Sequence, residues 1–109
     1  MVNSKRKGKG GELEVANLLK KHGFRCRRSV QYNGYDPEGQ GDVVGLPGYH
    51  IEVKRVETGF AGIDKAMDQS IRDSKDGEVP TVFHRRNRKG WLVTMRFDDW
   101  IKYLEDGDE

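Results

Sequence analysis

The sequence of 109 residues predicts one α/β domain, in which helices flank a mixed central β-sheet. Three observations support this class. Apolar residues recur at helical spacing in three segments, and short alternating segments between them predict strands. The predicted order of elements is helix, strands, helix, strands, helix. No internal repeat and no second domain are indicated over residues 1–109.

The first half of the chain is predicted to hold one helix and three strands. The helix runs from about Gly11 to His22, because Gly23 is a typical residue just beyond a helix end. Residues 1–10 are predicted to form a basic, flexible arm. The predicted strands are 24–30, 42–46 and 49–56, separated by a glycine-bearing loop at 31–41 and a turn at Pro47-Gly48.

The second half is predicted to hold a helix, a hairpin and a last helix. The helix spans about Ile63 to Ser74 and ends before Asp76-Gly77. The hairpin strands, 79–84 and 91–95, flank a basic loop. Asp98 caps the last helix, whose apolar stripe is formed by Phe97, Trp100, Ile101 and Leu104. Residues 105–109 are expected to be an acidic frayed end.

Composition limits the kinds of protein that fit. Hydrophobic residues make up 34% and charged residues 35%, so the core is small and dimerisation is one way to complete it. A lone cysteine, Cys26, excludes an intrachain disulfide and favours a reducing compartment. No signal peptide and no apolar run of membrane-spanning length are found. A soluble, cytoplasmic protein without a membrane partner is expected.

Charge is segregated along the chain although the net charge is only +2. Basic residues dominate 1–28 and 84–96, whereas acids dominate 29–83 and 97–109. This pattern suits a protein that holds a polyanion by its backbone around a central acidic site. A merely solvated surface with a basic arm explains the charges equally well. The candidate phosphate contacts are Lys5, Arg6, Lys7, Lys9, Arg25, Arg27, Arg28, Arg85, Arg86, Arg88 and Lys89.

The pattern that points to chemistry is Asp42 followed by Glu52 and Lys54. On a strand, Ile51 and Val53 point to one face, while Glu52 and Lys54 point to the other. Asp42 from the neighbouring strand would add a second carboxylate. Mg²⁺ and Mn²⁺ prefer such oxygen ligands, and phosphodiester hydrolysis uses such an ion. The alternative is a solvated strand on which a surface lysine pairs with Glu52, since charged residues commonly alternate there.

Turn chemistry bears on whether Asp42 and Glu52 meet. A turn through the three residues 46–48 pairs position 42 with position 52 on one face. A two-residue turn at Pro47-Gly48 would separate the two acids onto opposite faces. Proline suits the two-residue hairpin turns poorly, because they need positive φ at the first central position. The three-residue turn is therefore favoured.

Glu12 is a fourth candidate. At 100° per residue it falls in the centre of the apolar stripe made by Val15, Ala16 and Leu19, whereas Glu14 faces solvent. A carboxylate there can stabilise the first turn through the helix dipole, or it can join Asp42 and Glu52 around a cation. Both explanations stand at this point.

These segments together resemble the PD-(D/E)XK nuclease superfamily. The resemblance covers residues 5–95 and rests on GKGGELEVANLLKKHG, the Gly41-Asp42 segment and Ile51-Glu52-Val53-Lys54. Within the superfamily, the chain looks most like archaeal-type Holliday junction resolvases and their phage-encoded relatives. The resemblance implies a restriction-endonuclease-like fold. It also implies Mg²⁺ or Mn²⁺ as cofactor, with Glu12, Asp42 and Glu52 as metal-site acids, Lys54 as the catalytic lysine and Gln69 near the site.

The same resemblance implies a homodimer that cleaves four-way junctions or other branched DNA. One departure is the segment 31–41, which is longer and more acidic than the short loop typical of the resolvases. Alternatives are a flap, nick or general endonuclease, or a DNA-binding module that has kept the fold without catalysis. The histidines His22, His50 and His84 lack zinc-site spacing, so ordinary surface or strand positions are expected. Trp91, Trp100 and Cys26 are expected to be core residues.

Overall fold

The computed structural model describes the backbone of residues 4–29 and 41–106, and the side chains of residues 10–29 and 41–105. It confirms the predicted α/β class, with a five-stranded mixed sheet and three helices. In chain order the elements are α1 (Ser4–Lys21), β1 (Arg27–Arg28), β2 (Val43–Val44), β3 (Tyr49–Arg55), α2 (Ala61–Asp73), β4 (Val79–Arg85), β5 (Leu92–Met95) and α3 (Phe97–Asp106).

The strands lie in the order β1-β2-β3-β4-β5. Strands β3 and β4 are parallel, and the other neighbouring strands are antiparallel. Helix α2 connects the two parallel strands, since a parallel pair needs a crossover of this kind. The sheet therefore ends in two edge strands, β1 and β5.

Two apolar clusters show which helix covers which face of the sheet. Val15 and Ala16 of α1 pack against Ile51 and Val53 of β3, and Phe83 belongs to the same cluster. Ile63 and Ala66 of α2 pack against Val82 of β4. Because neighbouring residues on a strand point to opposite faces, α1 and α2 lie on opposite sides of the sheet. Glu52 and Lys54, which alternate with Ile51 and Val53, belong to the α2 face.

Helix α1 begins at Ser4 rather than near Gly11, so residues 4–10 are helical and do not form the predicted arm. A Cβ on Gly11 would lie 3.1 Å from Arg55 Cγ, so this glycine allows close packing of α1 against β3. Strands β1 and β2 are shorter than predicted. Helix α3 continues to Asp106, so Glu105 is helical rather than frayed. The predicted loop at 31–40 and the last three residues lie outside the described part.

Burial confirms some of the predicted core and corrects the rest. Cys26 is buried, and this burial raises the pKa of its thiol, as expected for an unreactive core cysteine. Trp91 is partly buried against the α1 cluster. The prediction that Trp100 is a core residue is wrong, since it is 46% exposed on α3, a helix that follows an edge strand and turns its apolar stripe away from the sheet. None of the described helices is both long and apolar enough to cross a membrane.

Candidate active site

The turn between β2 and β3 has the predicted register. Val43 pairs with Ile51, which is the register that the three-residue turn requires. The Tyr49 N–H donates to the Leu46 carbonyl at 3.3 Å, so the turn itself closes around Pro47 and Gly48, the two-residue connection that the proline was predicted to disfavour. Gly48 has a φ of +86° that a β-branched residue would avoid. The turn therefore brings Asp42 to the middle of β3, as the motif requires.

Asp42 ends the β2–β3 ladder instead of extending it. Its N–H donates to the Ile51 carbonyl at 2.8 Å, one residue short of a pairing with Glu52. Its carboxylate Oδ2 accepts the Val53 N–H, also at 2.8 Å. Asp42 and Glu52 are therefore not paired across the two strands. The Asp42 carboxylate instead accepts a hydrogen bond from the backbone of β3. The result is a carboxylate held beside the peptide that joins Glu52 to Val53.

Gly41 makes this close approach possible. A Cβ at this position would lie 2.6 Å from the Ile51 carbonyl oxygen and 3.2 Å from His50 Nε2, and the residue has a φ of +88°. Any other residue would push the Gly41-Asp42 segment away from β3. The glycine before the aspartate is therefore a requirement of the site's geometry.

Glu52 is buried and bonded to His50. Its side chain is only 6% exposed, and Oε1 lies 3.1 Å from Nε2 of a fully buried His50. The Ser70 hydroxyl of α2 donates to the His50 carbonyl at 2.9 Å, which ties this part of β3 to α2. Burial opposes protonation of His50, but the hydrogen bond and charge of Glu52, with the charges of Glu78 and Asp73, raise its pKa above the ordinary value.

His50 is the site residue that sequence reasoning missed. Its spacing from the other histidines does not suit a zinc site, yet it precedes Glu52 by two residues and therefore shares its face. This two-residue spacing was the feature of the sequence that could have placed His50 beside Glu52. The ligand atoms of His50, Glu52 and Asp73 lie within 4.8 Å of one another, and within residues 10–29 and 41–105 no other such group of three is found. The ligand atoms of Glu12, Asp42 and Glu52 do not converge this closely.

Lys54 lies on the same strand face as Glu52 and is exposed. Within the described residues it has no ion-pair or hydrogen-bond partner, so the surface pair with Glu52 is not formed. Its cross-strand neighbour is His84, whose Nε2 lies 2.7 Å from the Thr94 hydroxyl. Burial lowers the pKa of His84, so this neighbour adds little positive charge beside Lys54 at neutral pH.

Glu12 points inward as predicted, with a side chain 15% exposed and an oxygen 3.0 Å from Arg28 Nε. Because α1 starts at Ser4, Glu12 is not in the first turn, and stabilisation of that turn through the helix dipole does not explain its position. Glu14 is more exposed but bridges Arg55 and Arg85. Gln69 lies on α2 next to Ser70 and is exposed.

The predicted basic contacts fall into three groups. Arg28 and Arg85 form ion pairs within the protein. Arg28 binds Glu12, and Arg85 binds Glu14 at 2.7 Å. The Arg85 guanidinium also lies 5.4 Å from the Trp91 ring centre. Exposed side chains are those of Arg25, Arg27, Arg86, Arg88 and Lys89. Lys5, Arg6, Lys7 and Lys9 lie on α1, but their side chains are outside the described part.

A groove of about 630 Å³ continues the α2 face of the sheet from Val56 to the β4–β5 hairpin. It is lined by the buried residues Ile63 and His84 and by the exposed residues Phe60 and Leu92. Arg86 and Lys89 line its hairpin side, so the groove combines apolar surface with positive charge. Such a lining suits a nucleic acid whose phosphates meet the hairpin.

Comparison with protein families shows what this chain is similar to. The model of a family described as "Phage putative PDDEXK endonuclease" matches residues 3–107. This covers nearly the whole chain, including every candidate site residue. A search of curated proteins finds no match.

Proposed function

The chain belongs to the phage PDDEXK endonuclease family, and from that membership we propose that it is a metal-dependent nuclease that resolves branched DNA. The family supports a nuclease acting on DNA. The observation that carries the proposed site is the Asp42 carboxylate, hydrogen-bonded to the Val53 N–H beside Glu52. Lys54 lies exposed on the Glu52 face, where a catalytic ammonium is needed.

The donor set fits a hard divalent ion. Asp42 and Glu52 would hold Mg²⁺ or Mn²⁺ through carboxylate oxygens. Glu12, which binds Arg28 on the α1 side of the sheet, would join them only after leaving that ion pair. When bound, the ion supplies activation of water and neutralisation of charge on the phosphate. The hydrogen bond from His50 to Oε1 would fix the orientation of the Glu52 carboxylate that holds the ion. The Lys54 ammonium orients the attacking water and offsets charge that develops on the phosphate.

The proposed substrate class is a four-way junction or similar branched DNA. Exposed arginines on the β4–β5 loop and near β1 suit contacts to phosphates, which select DNA shape rather than base sequence. Symmetric cuts across a junction need two sites at a fixed separation, and a two-fold homodimer supplies them. Flap or nicked DNA is the alternative substrate for the same phosphodiester hydrolysis.

The deciding experiment compares cleavage of a four-way junction, a flap and a linear duplex, with Mg²⁺, with Mn²⁺ and with chelator. Paired, symmetric, metal-dependent cuts in the junction are the expected result. Preferred cutting of the flap would move the assignment to flap cleavage. Absence of metal-dependent cutting on all three DNAs, with binding retained, would favour the non-catalytic module.

Arg86→Ala with Arg88→Ala is expected to reduce the salt dependence of DNA binding. The slope of log affinity against log salt is negative, and each lost phosphate contact should make it shallower by about 0.9, equally for all DNA sequences. Fluorescence anisotropy at several salt concentrations measures this slope. Lys65→Ala with Arg72→Ala removes the same charge from the exposed surface of α2 and is the control. Equal slopes for both pairs would exclude the hairpin from the interface.

Glu12→Gln tests whether this residue serves catalysis or only packing. Its partner Arg28 is one-third exposed, so loss of the ion pair should lower stability by less than about 1 kcal/mol. If Glu12 serves catalysis, the cleavage rate should fall by far more than this small loss of stability would cause. Glu14 is unsuitable as a neutral control because it bridges two arginines, so Asp68→Asn on the exposed side of α2 replaces it. Parent-level cleavage by Glu12→Gln would remove Glu12 from the site.

A further inference from the structure

The part of β3 that carries Glu52 also carries a buried histidine that packs against the end of α2. His50 is fully buried, and the Ser70 hydroxyl donates to its backbone carbonyl at 2.9 Å. Asp73, the last residue of α2, lies three residues after Ser70 and therefore shares its side of the helix. One imidazole and two carboxylates, those of His50, Glu52 and Asp73, meet at this place with their ligand atoms within 4.8 Å of one another.

The spacing of these atoms suits a single small ion. Nε2 of His50 and Oε1 of Glu52 lie 3.1 Å apart. Two ligands of a tetrahedral Zn²⁺, each at about 2.0–2.2 Å, are separated by about 3.4 Å. Gly41 borders Nε2 without a side chain, and a Cβ there would lie 3.2 Å from this nitrogen. An ion can therefore replace the proton that joins His50 to Glu52 with small movements of the two side chains.

Charge and hydrogen bonding around the imidazole also favour a cation. Among the described residues, no lysine or arginine forms an ion pair with Glu52 or Asp73. The other ring nitrogen of His50, Nδ1, is buried without a hydrogen-bond partner in the described part of the chain, and Glu78 Oε1 lies 4.0 Å from it. A histidine that ligates an ion through Nε2 carries its proton on Nδ1 and normally donates it to a carboxylate, a backbone carbonyl or water. Glu78 is the carboxylate placed to accept that proton.

We propose that His50, Glu52 and Asp73 bind a divalent transition ion, with Zn²⁺ preferred over Mg²⁺. Imidazole nitrogen suits Zn²⁺, whereas Mg²⁺ takes oxygen ligands and keeps several of its waters. Three protein ligands that combine nitrogen and oxygen are typical of Zn²⁺ sites with a fourth position open to water. Asp42 does not belong to this group of three, so the site differs from the carboxylate pair proposed for the nuclease. Glu52 belongs to both, and Zn²⁺ would replace its hydrogen bond to His50.

Titration calorimetry of the metal-free full chain tests this site without DNA. One Zn²⁺ per chain should bind, at least about tenfold more tightly than Mg²⁺. Asp73→Asn should weaken Zn²⁺ binding by at least about tenfold, since loss of a group beyond the direct ligands already costs that much. Asp68→Asn removes the same charge from the exposed surface of α2 and should bind Zn²⁺ like the parent. Melting of both variants without metal shows that they are folded.

Nuclear magnetic resonance of the imidazole nitrogens identifies the nitrogen ligand in the parent chain. The chain has three histidines, so their signals can be told apart. One equivalent of Zn²⁺ should shift the Nε2 signal of His50 and leave those of His22 and His84 in place. Unmoved His50 signals would overturn the site, as would equal Zn²⁺ affinities of Asp73→Asn and Asp68→Asn, or Zn²⁺ binding no tighter than Mg²⁺ binding.

Asp42→Asn separates this site from the proposed nuclease site. It should keep Zn²⁺ binding within about threefold of the parent, because Asp42 is not a ligand here and a change outside such features has only a small effect. Loss of Zn²⁺ binding in this variant would place the ion on Asp42 and Glu52 and overturn the proposed set of ligands. Cleavage with Mg²⁺ is measured on its own, so its presence or absence leaves these outcomes unchanged.

Discussion

Glu52→Gln and Asp42→Asn should each reduce cleavage by more than about 100-fold while DNA binding persists. Changes beyond a metal's direct ligands already cost about 10–100-fold in affinity or activity, and these substitutions remove proposed direct ligands. Binding should hold or tighten, because each variant removes a negative charge that faces phosphate. Single-turnover cleavage and anisotropy measure the two effects.

The structure explains why these two substitutions should leave the fold intact. After Glu52→Gln, the amide oxygen can still accept the hydrogen bond of His50. After Asp42→Asn, the amide oxygen can still accept the Val53 N–H. Melting temperatures near that of the parent are therefore expected in the absence of metal. Metal-dependent cleavage close to the parent level in either variant would show that the site lies elsewhere.

Lys54→Ala is expected to lose about 100-fold or more in cleavage, the lower range for a positioned proton-transfer group. Because Lys54 is exposed and has no partner within the described residues, stability should stay within about 0.5 kcal/mol of the parent. Calorimetric metal affinity should also persist, since a charged lysine does not ligate the ion. Lys65→Ala on α2 is the control for loss of one positive charge.

The opposite pattern would contradict the role of Lys54. If metal affinity disappears while turnover at saturating metal stays normal, the ammonium acts on the charge balance of the carboxylates and not in the chemical step. If turnover and metal affinity are both retained, Lys54 is an ordinary lysine on the strand surface and has no role in cleavage.

Several features of the site follow from local periodicity and turn chemistry alone. Alternation along the predicted strand 49–56 indicated that Glu52 and Lys54 share a face, and the structure has that strand at Tyr49–Arg55. Proline in the turn predicted the register of β2 on β3, and Val43 does pair with Ile51, although the turn itself closes around Pro47 and Gly48. Helical phase predicted that Glu12 points inward while Glu14 is more exposed. Each of these follows from residues within a few positions of one another.

Contacts between distant segments determine which groups meet. Only the packing of α2 on β3 brings Ser70 and Asp73 to His50 and Glu52, and only the packing of α1 near the hairpin lets Glu14 engage Arg85. The same packing leaves Phe97, Trp100 and Leu104 of α3 exposed, although their periodicity is that of a core helix. Periodicity fixes the face on which a side chain lies. Strand order and helix placement fix what that face meets, and these depend on contacts between residues far apart in the chain.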